Sequence, residues 1–213
     1  MSFFMSVGRH EAYERHGAKY PTTPSGIADA WLSGPILEEQ SAPVDVIYAS
    51  PLPRARATAV VRGMSIGCLN IIISEALHEN AAPSDVLQFQ KQALSEAESA
   101  GIKHIHFVTH QPVVATLGGS FSITPGAVFV QKAENWRDIM LRRAETMSLP
   151  PVEMQLYALQ FEKPEVFDRM AARYAGLTAL AQKHEGPLES LLSAYAASEP
   201  KMIAAQRFSG RSR

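Results

Sequence analysis

The chain has 213 residues, 46% of them hydrophobic, and a formal net charge of −1. That is enough apolar material for one substantial core, and too little net charge to recruit nucleic acid or an acidic membrane. A single cysteine, Cys68, excludes an internal disulfide and any multi-cysteine metal site. Nothing approaches the ~20 apolar residues of a membrane span. The apolar start is too short, and lacks the basic lead, for a secretion signal, so a soluble cytoplasmic protein is expected.

Residues 2–8 are apolar and end at a glycine, which predicts a buried strand. "PTTPSGIADAWLSG" predicts a helix capped by Thr23, with Pro24 in its first turn and Gly34 as its stop. "VDVIYAS" (44–50) reads as a strand, "RARATAVVRGMSIG" as a helix closing near Gly67, and "NIIIS" (70–74) as the most strand-like segment of the chain. Val86, Phe89, Ala93, Ala97 and Ala100 recur at helical spacing across 84–100, before Gly101. "HIHFVT" (104–109) is a further strand, "PVVATLGG" a short helix, and "PGAVFVQ" the last expected strand.

This alternation over residues 2–131 predicts an α/β fold with a mostly parallel sheet flanked by helices. Beyond it the expected pattern is helical. Trp136, Ile139, Met140, Arg143 and Met147 form one stripe; Val166, Met170, Tyr174, Leu177 and Ala181 a second; Leu188, Leu191, Leu192 and Tyr195 a third. The expected division is an α/β domain over 1–131 and a helical extension over 132–213 packed on it, which offers a surface for homodimerisation. The basic ending "RFSGRSR" reads as a solvated tail.

Ligands in open α/β sheets bind beyond the carboxyl ends of the strands. Four predicted strand ends carry polar chemistry here. Arg9 and His10 follow the first, Arg54 and Arg56 the second, Glu75, His78 and Glu79 the third, and His110 the fourth. Arginine's planar fork matches phosphate oxygens, neutral histidine suits attack on phosphorus, and a carboxyl can protonate a leaving oxygen. The set points to phosphoryl transfer with no metal and no cofactor. Arg56 is expected to face solvent. His104 and His106 share a strand face, but no carboxylate stands at ligand spacing to make a metal site with them.

Arg9-His10 after the first strand, "SPLPRARATA" (50–59), "LHE" (77–79) and "THQPVV" (109–114) together resemble the histidine phosphatase superfamily, with its phosphoglycerate mutase-like fold. The nearest likeness is to the small bacterial phosphohistidine phosphatases. The resemblance covers about residues 1–131. It implies that His10 is the phosphoryl-accepting nucleophile, that Arg9, Arg54 and His110 hold the phosphate, and that Glu79 is the proton donor. It further implies a phosphorylated small molecule or phosphoprotein as substrate.

One position departs from the pattern: Glu11 stands where the family has a glycine after the histidine. A one-residue deletion accounts for it; so does a protein that has kept a phosphate pocket and lost catalysis. The literal tripeptide Arg15-His16-Gly17 lies further on. At about 3.3 Å of rise per residue it falls well beyond the strand end, which favours His10 over His16.

Overall fold

A computed structural model describes residues 2–13, 21–118 and 123–198. In chain order the elements are β1 (Phe3–Arg9), α1 (Pro24–Gln40), β2 (Val46–Ala49), α2 (Pro53–Ile66), β3 (Ile71–Ile73), a 3-10 turn (Glu75–Leu77), α3 (Pro83–Ala100), β4 (His104–Thr109), α4 (Gln111–Gly118), β5 (Val128–Ala133), α5 (Trp136–Met140), β6 (Glu145–Leu149), α6 (Val152–Glu162), α7 (Pro164–Lys183) and α8 (Leu188–Ser198). The sheet runs in the order β3-β2-β4-β1-β5-β6. Strands β1 to β4 are parallel, and β5 is antiparallel to both β1 and β6.

Alternation along the strands sorts the core into two faces. Met5, Val7, Val46, Tyr48, Ile105, Phe107 and Phe129 point toward α3, α4 and α5. Phe4, Ile47, Val108, Val128 and Val130 point the other way, toward Leu37 of α1 and Ala55 and Ala59 of α2. A third cluster lies outside α1 and α2, where Ile27, Trp31 and Val61 meet Val152, Leu156, Leu177, Leu191 and Tyr195 of the C-terminal helices. The second and third predicted stripes therefore lie on helices that bury them. Among the described residues no helix is long and apolar enough to cross a membrane.

Two expectations need correction. Gly34 does not stop α1, which runs on through Pro35 to Gln40. Its reason is packing: a Cβ at Gly34 would stand 3.0 Å from Ile66 Cγ2 and 3.1 Å from the Arg62 carbonyl oxygen, and would strike the Ser65 hydroxyl. The glycine lets α1 and α2 cross closely. The stripe over 136–147 is not one helix. Asn135 caps a five-residue α5 by accepting from the Asp138 amide, and Arg142 then adopts a positive φ of 56°. Reversed by that turn, residues 145–149 pair with β5 as the edge strand β6. The sheet thus takes a strand from beyond residue 131, and the C-terminal helices begin at Val152.

Because the α1–α2 contact is this close, Gly34→Val should lower stability by about 1–3 kcal/mol through overpacking. A urea titration that leaves the midpoint unchanged would contradict the close-crossing account.

Candidate active site

Pairing in the sheet carries three strand ends to one rim. The His10 amide donates to the Thr109 carbonyl (3.0 Å) and the Ser50 amide to the Val108 carbonyl (3.0 Å), so the residues after β1, β2 and β4 lie side by side. Arg54 rises from the first turn of α2, which Pro53 opens. The segment with Glu79 is tied to the end of β4 by the Thr109 hydroxyl, which donates to the Leu77 carbonyl (2.7 Å).

Arg54 connects the group. Its Nε donates to His10 Nε2 (3.2 Å), its Nη2 approaches His110 Nδ1 (3.3 Å), and the same nitrogen forms an ion pair with Glu79 Oε2. Glu79 Oε2 is also 3.9 Å from His110 Nδ1. The two imidazole rings lie 4.9 Å apart. A guanidinium can only donate, so His10 Nε2 and His110 Nδ1 carry lone pairs toward the rim. The opposite nitrogens follow: His10 Nδ1–H donates to the Glu11 carbonyl (2.8 Å), and His110 Nε2–H to the Ser50 hydroxyl (2.8 Å).

Electrostatics agree with these tautomers. Burial, with Arg54 and Arg9 nearby, pushes His10 down to about 4. Burial, then His10 and Arg54, push His110 down to about 3. Both rings are neutral at neutral pH.

Arg9 reaches the rim differently from Arg54. Its Nη1 donates to the Ile123 carbonyl (3.0 Å), while its buried Nε has no partner among the described residues. Arg56 is exposed, as expected, and so is Glu75. Among the described residues no group of three or more acidic, histidine or cysteine side chains could hold a metal ion. His104 and His106 instead both bond the Ser6 hydroxyl, at 2.8 Å each. Arg15, His16 and Gly17 lie outside the described residues, as does the basic tail.

The Glu11 side chain turns away from the rim. It is 2% exposed, and its Oε1 accepts from Arg62 Nη2 at 3.1 Å. No carboxylate at position 11 therefore faces the space where an anion would sit.

Sequence reading missed three contributors to the rim. Ser50 and Thr58 were in plain view inside "SPLPRARATA"; Ser50 fixes the His110 tautomer, and the Thr58 hydroxyl accepts from the Glu11 amide (3.1 Å). Tyr13 left no signal. Its ring stands edge-on to His10 at 5.5 Å and lies 4.6 Å beneath the Arg54 guanidinium.

This sheet order, with two histidines and an arginine at one rim, defines a phosphoglycerate mutase-like α/β protein. Residues 11–84 match the histidine phosphatase superfamily (branch 1), so the resemblance read from the sequence holds. The matched span contains Arg15-His16-Gly17 and begins just after Arg9-His10. Among solved structures the chain is similar to a protein assigned as phosphohistidine phosphatase SixA from Nakamurella multipartitia, at 20% identity and a TM-score of 0.56, over 71% of this chain and 98% of that one. It is also similar to the protein histidine phosphatase SixA complexed with tungstate, at 18% identity and a TM-score of 0.53, over 70% of this chain and 96% of that one. At these identities the likeness is one of fold. No curated protein matches the sequence.

With both rings neutral, the His10 imidazole should stay unprotonated as pH falls through 6.5 and take up its proton near pH 4, because burial disfavours the cation. NMR titration of the histidine ring nitrogens reads this directly. Protonation of His10 near 6.5 would contradict the buried, cation-flanked setting.

Proposed function

We propose that the protein is a metal-independent phosphatase that hydrolyses a phosphomonoester or phosphohistidine through a covalent phosphohistidine intermediate on His10. One observation carries the reading: a neutral imidazole turns its Nε2 lone pair to a guanidinium that also holds a second histidine and a carboxylate at the same rim. The superfamily match and the SixA-like fold support it.

In the first step His10 Nε2 attacks phosphorus. The bond to the leaving oxygen breaks, and Glu79, which takes up a proton from solvent once the incoming anion draws Arg54 away, gives that proton to the oxygen. Arg54, released from Glu79 and His10 by the incoming anion, stabilises charge on the transferring group. The Nε of Arg9, without a partner among the described residues, supplies a further donor. His110 Nδ1 becomes a donor by gaining a proton, which a bound dianion favours by reversing the local charge. In the second step Glu79, now ionised, takes a proton from water, which attacks phosphorus and frees His10. The Glu11 carbonyl holds Nδ1–H throughout, so Nε2 remains the nucleophile.

Substrates of either kind, a phosphorylated small molecule or a phosphoprotein, fit this chemistry, and no cofactor enters it. A binding-only protein would be favoured by a carboxylate turned into the pocket. Glu11 is turned the other way, toward Arg62.

Turnover of an aryl phosphate should fall by at least about 10³-fold in His10→Ala and stay within about threefold of the parent in His16→Ala. The reverse pattern would move the nucleophile to His16. Tungstate binding without turnover in the parent protein would establish the binding-only reading.

A further inference from the structure

Beneath the rim lies a second, buried polar cluster that the chemistry above does not use. Glu11, after β1, meets Asp29 of α1 and Arg62 of α2. Arg62 is fully buried: its Nη2 donates to Glu11, its Nε to the Ser33 hydroxyl (3.0 Å) and its Nη1 to His106 Nε2 (3.0 Å). Asp29 is 4% exposed, and its Oδ1 accepts from the Val152 amide at 2.7 Å, the first residue of α6. The other Asp29 oxygen, Oδ2, receives no N–H or hydroxyl among the described residues. It faces Glu11. A Cβ at Gly126, where φ is +83°, would stand 2.8 Å from Asp29 Oδ2 and collide with Glu11 Oε2. Both carboxyl groups therefore converge on the space that this glycine leaves open.

For two such groups to share that space, a hydrogen bond between them needs a proton. Two carboxylates in contact cannot both stay ionised, and one buried arginine balances only one of them. Resting on the reading of His10 as nucleophile, we propose that Glu11 is a positioning residue for His10, anchored because Glu11 and Asp29 share one proton opposite Arg62. The anchoring is threefold. The Glu11 side chain is held by Arg62 and Asp29, its amide by Thr58 (3.1 Å), and its carbonyl receives His10 Nδ1–H (2.8 Å). Through Asp29 the same cluster fastens the start of α6, so the docking of the C-terminal helices and the aim of the imidazole depend on one shared proton.

Other groups facing the pair are consistent with this state. His106 is fully buried beside Arg62, and burial, then Arg62, hold it well below its ordinary value. Burial and then the neighbouring charge of Asp29 raise Glu11, and burial raises Asp29. A cavity of about 70 Å³, lined by Ser25, Glu153 and Tyr174 as well as the pair, lies alongside. Tyr174 is pushed up to about 12 by burial, then by Asp29, Glu153 and Glu11, so it stays neutral there.

The charge count makes a test that needs no catalysis. Glu11→Gln and Asp29→Asn each remove one proton and no net charge from the cluster, so both should fold. Folding of either should take up about one proton fewer than the parent at neutral pH. The reading is the pH dependence of urea unfolding from pH 5 to 8, each variant compared with the parent so that histidine contributions cancel. The sign follows from linkage: an acid whose folded value is raised stabilises most below its unfolded value, and that stability is lost as pH rises toward the folded one. The parent should therefore show this fall, and the amide variants should lack it. The double variant leaves Arg62 uncompensated and should lose far more than the two singles combined.

A parent slope equal to that of Glu11→Gln, or an additive double variant, would overturn the shared proton. For positioning, Glu11→Ala should lower kcat at least tenfold with KM and tungstate affinity within about threefold, and Glu11→Gln should restore kcat. An unchanged kcat in Glu11→Ala would overturn positioning. If His10 is not the nucleophile, His10→Ala remains active while the proton count still stands, so the two failures are told apart.

Discussion

Arg54 is the contact on which the rim depends. One guanidinium touches His10, His110 and Glu79 and lies over Tyr13. Its position is dictated by topology: β2 ends beside β4, and α2 starts four residues after β2 with a proline in its first turn. Being an obligate donor, it also decides which nitrogen of each histidine is bare. Two tautomers are thereby set by one side chain, and the charge that disfavours protonating the rings is the charge that would hold an anion between them.

The same logic continues inside the domain with the second arginine. Arg62 donates to His106 Nε2, so His106 Nδ1–H must donate to Ser6, the Ser6 hydroxyl to His104 Nε2, and His104 Nδ1–H to the Ala42 carbonyl (2.8 Å). Every member of this chain is satisfied with both histidines neutral, which is what burial demands of them; it holds His104 down to about 4. Buried ion pairs such as Glu11–Arg62 add little stability in themselves, but breaking one by removing a partner typically costs about 3–5 kcal/mol. The cluster acts chiefly as a register. It fixes where the backbone after β1 sits relative to α1, α2 and α6.

What could be read from the sequence followed from short-range pattern and one topological rule. Strands ending in Arg9-His10, Ser50 and Thr109-His110 were visible as apolar runs, and a parallel sheet leaves their ends no choice but a common edge. Gly34 was misread because a glycine after a helical run looks the same whether it ends the helix or admits a neighbour. The sixth strand, Glu145–Leu149, is an edge strand exposed at Glu145, Thr146 and Ser148, and its five residues are too few for their alternation to outweigh the helical stripe begun by Trp136 and Ile139. His104 and His106 share a strand face, and both rings bond Ser6, about a hundred residues earlier and out of view in the sequence. Asp29 and Arg62 were invisible for the same reason: each makes sense only against a residue from a distant segment.

The central claim is that the phosphoryl group passes through His10. Trypsin separates the two histidines in question, since Arg9 and Arg15 precede them and leave His10 in the peptide 10–15 and His16 in the peptide 16–19. Reaction with an aryl phosphate, an alkaline quench that preserves phosphohistidine, and mass spectrometry of the digest should find the added phosphoryl on 10–15. Label on 16–19, or turnover with no label on either, would contradict the account.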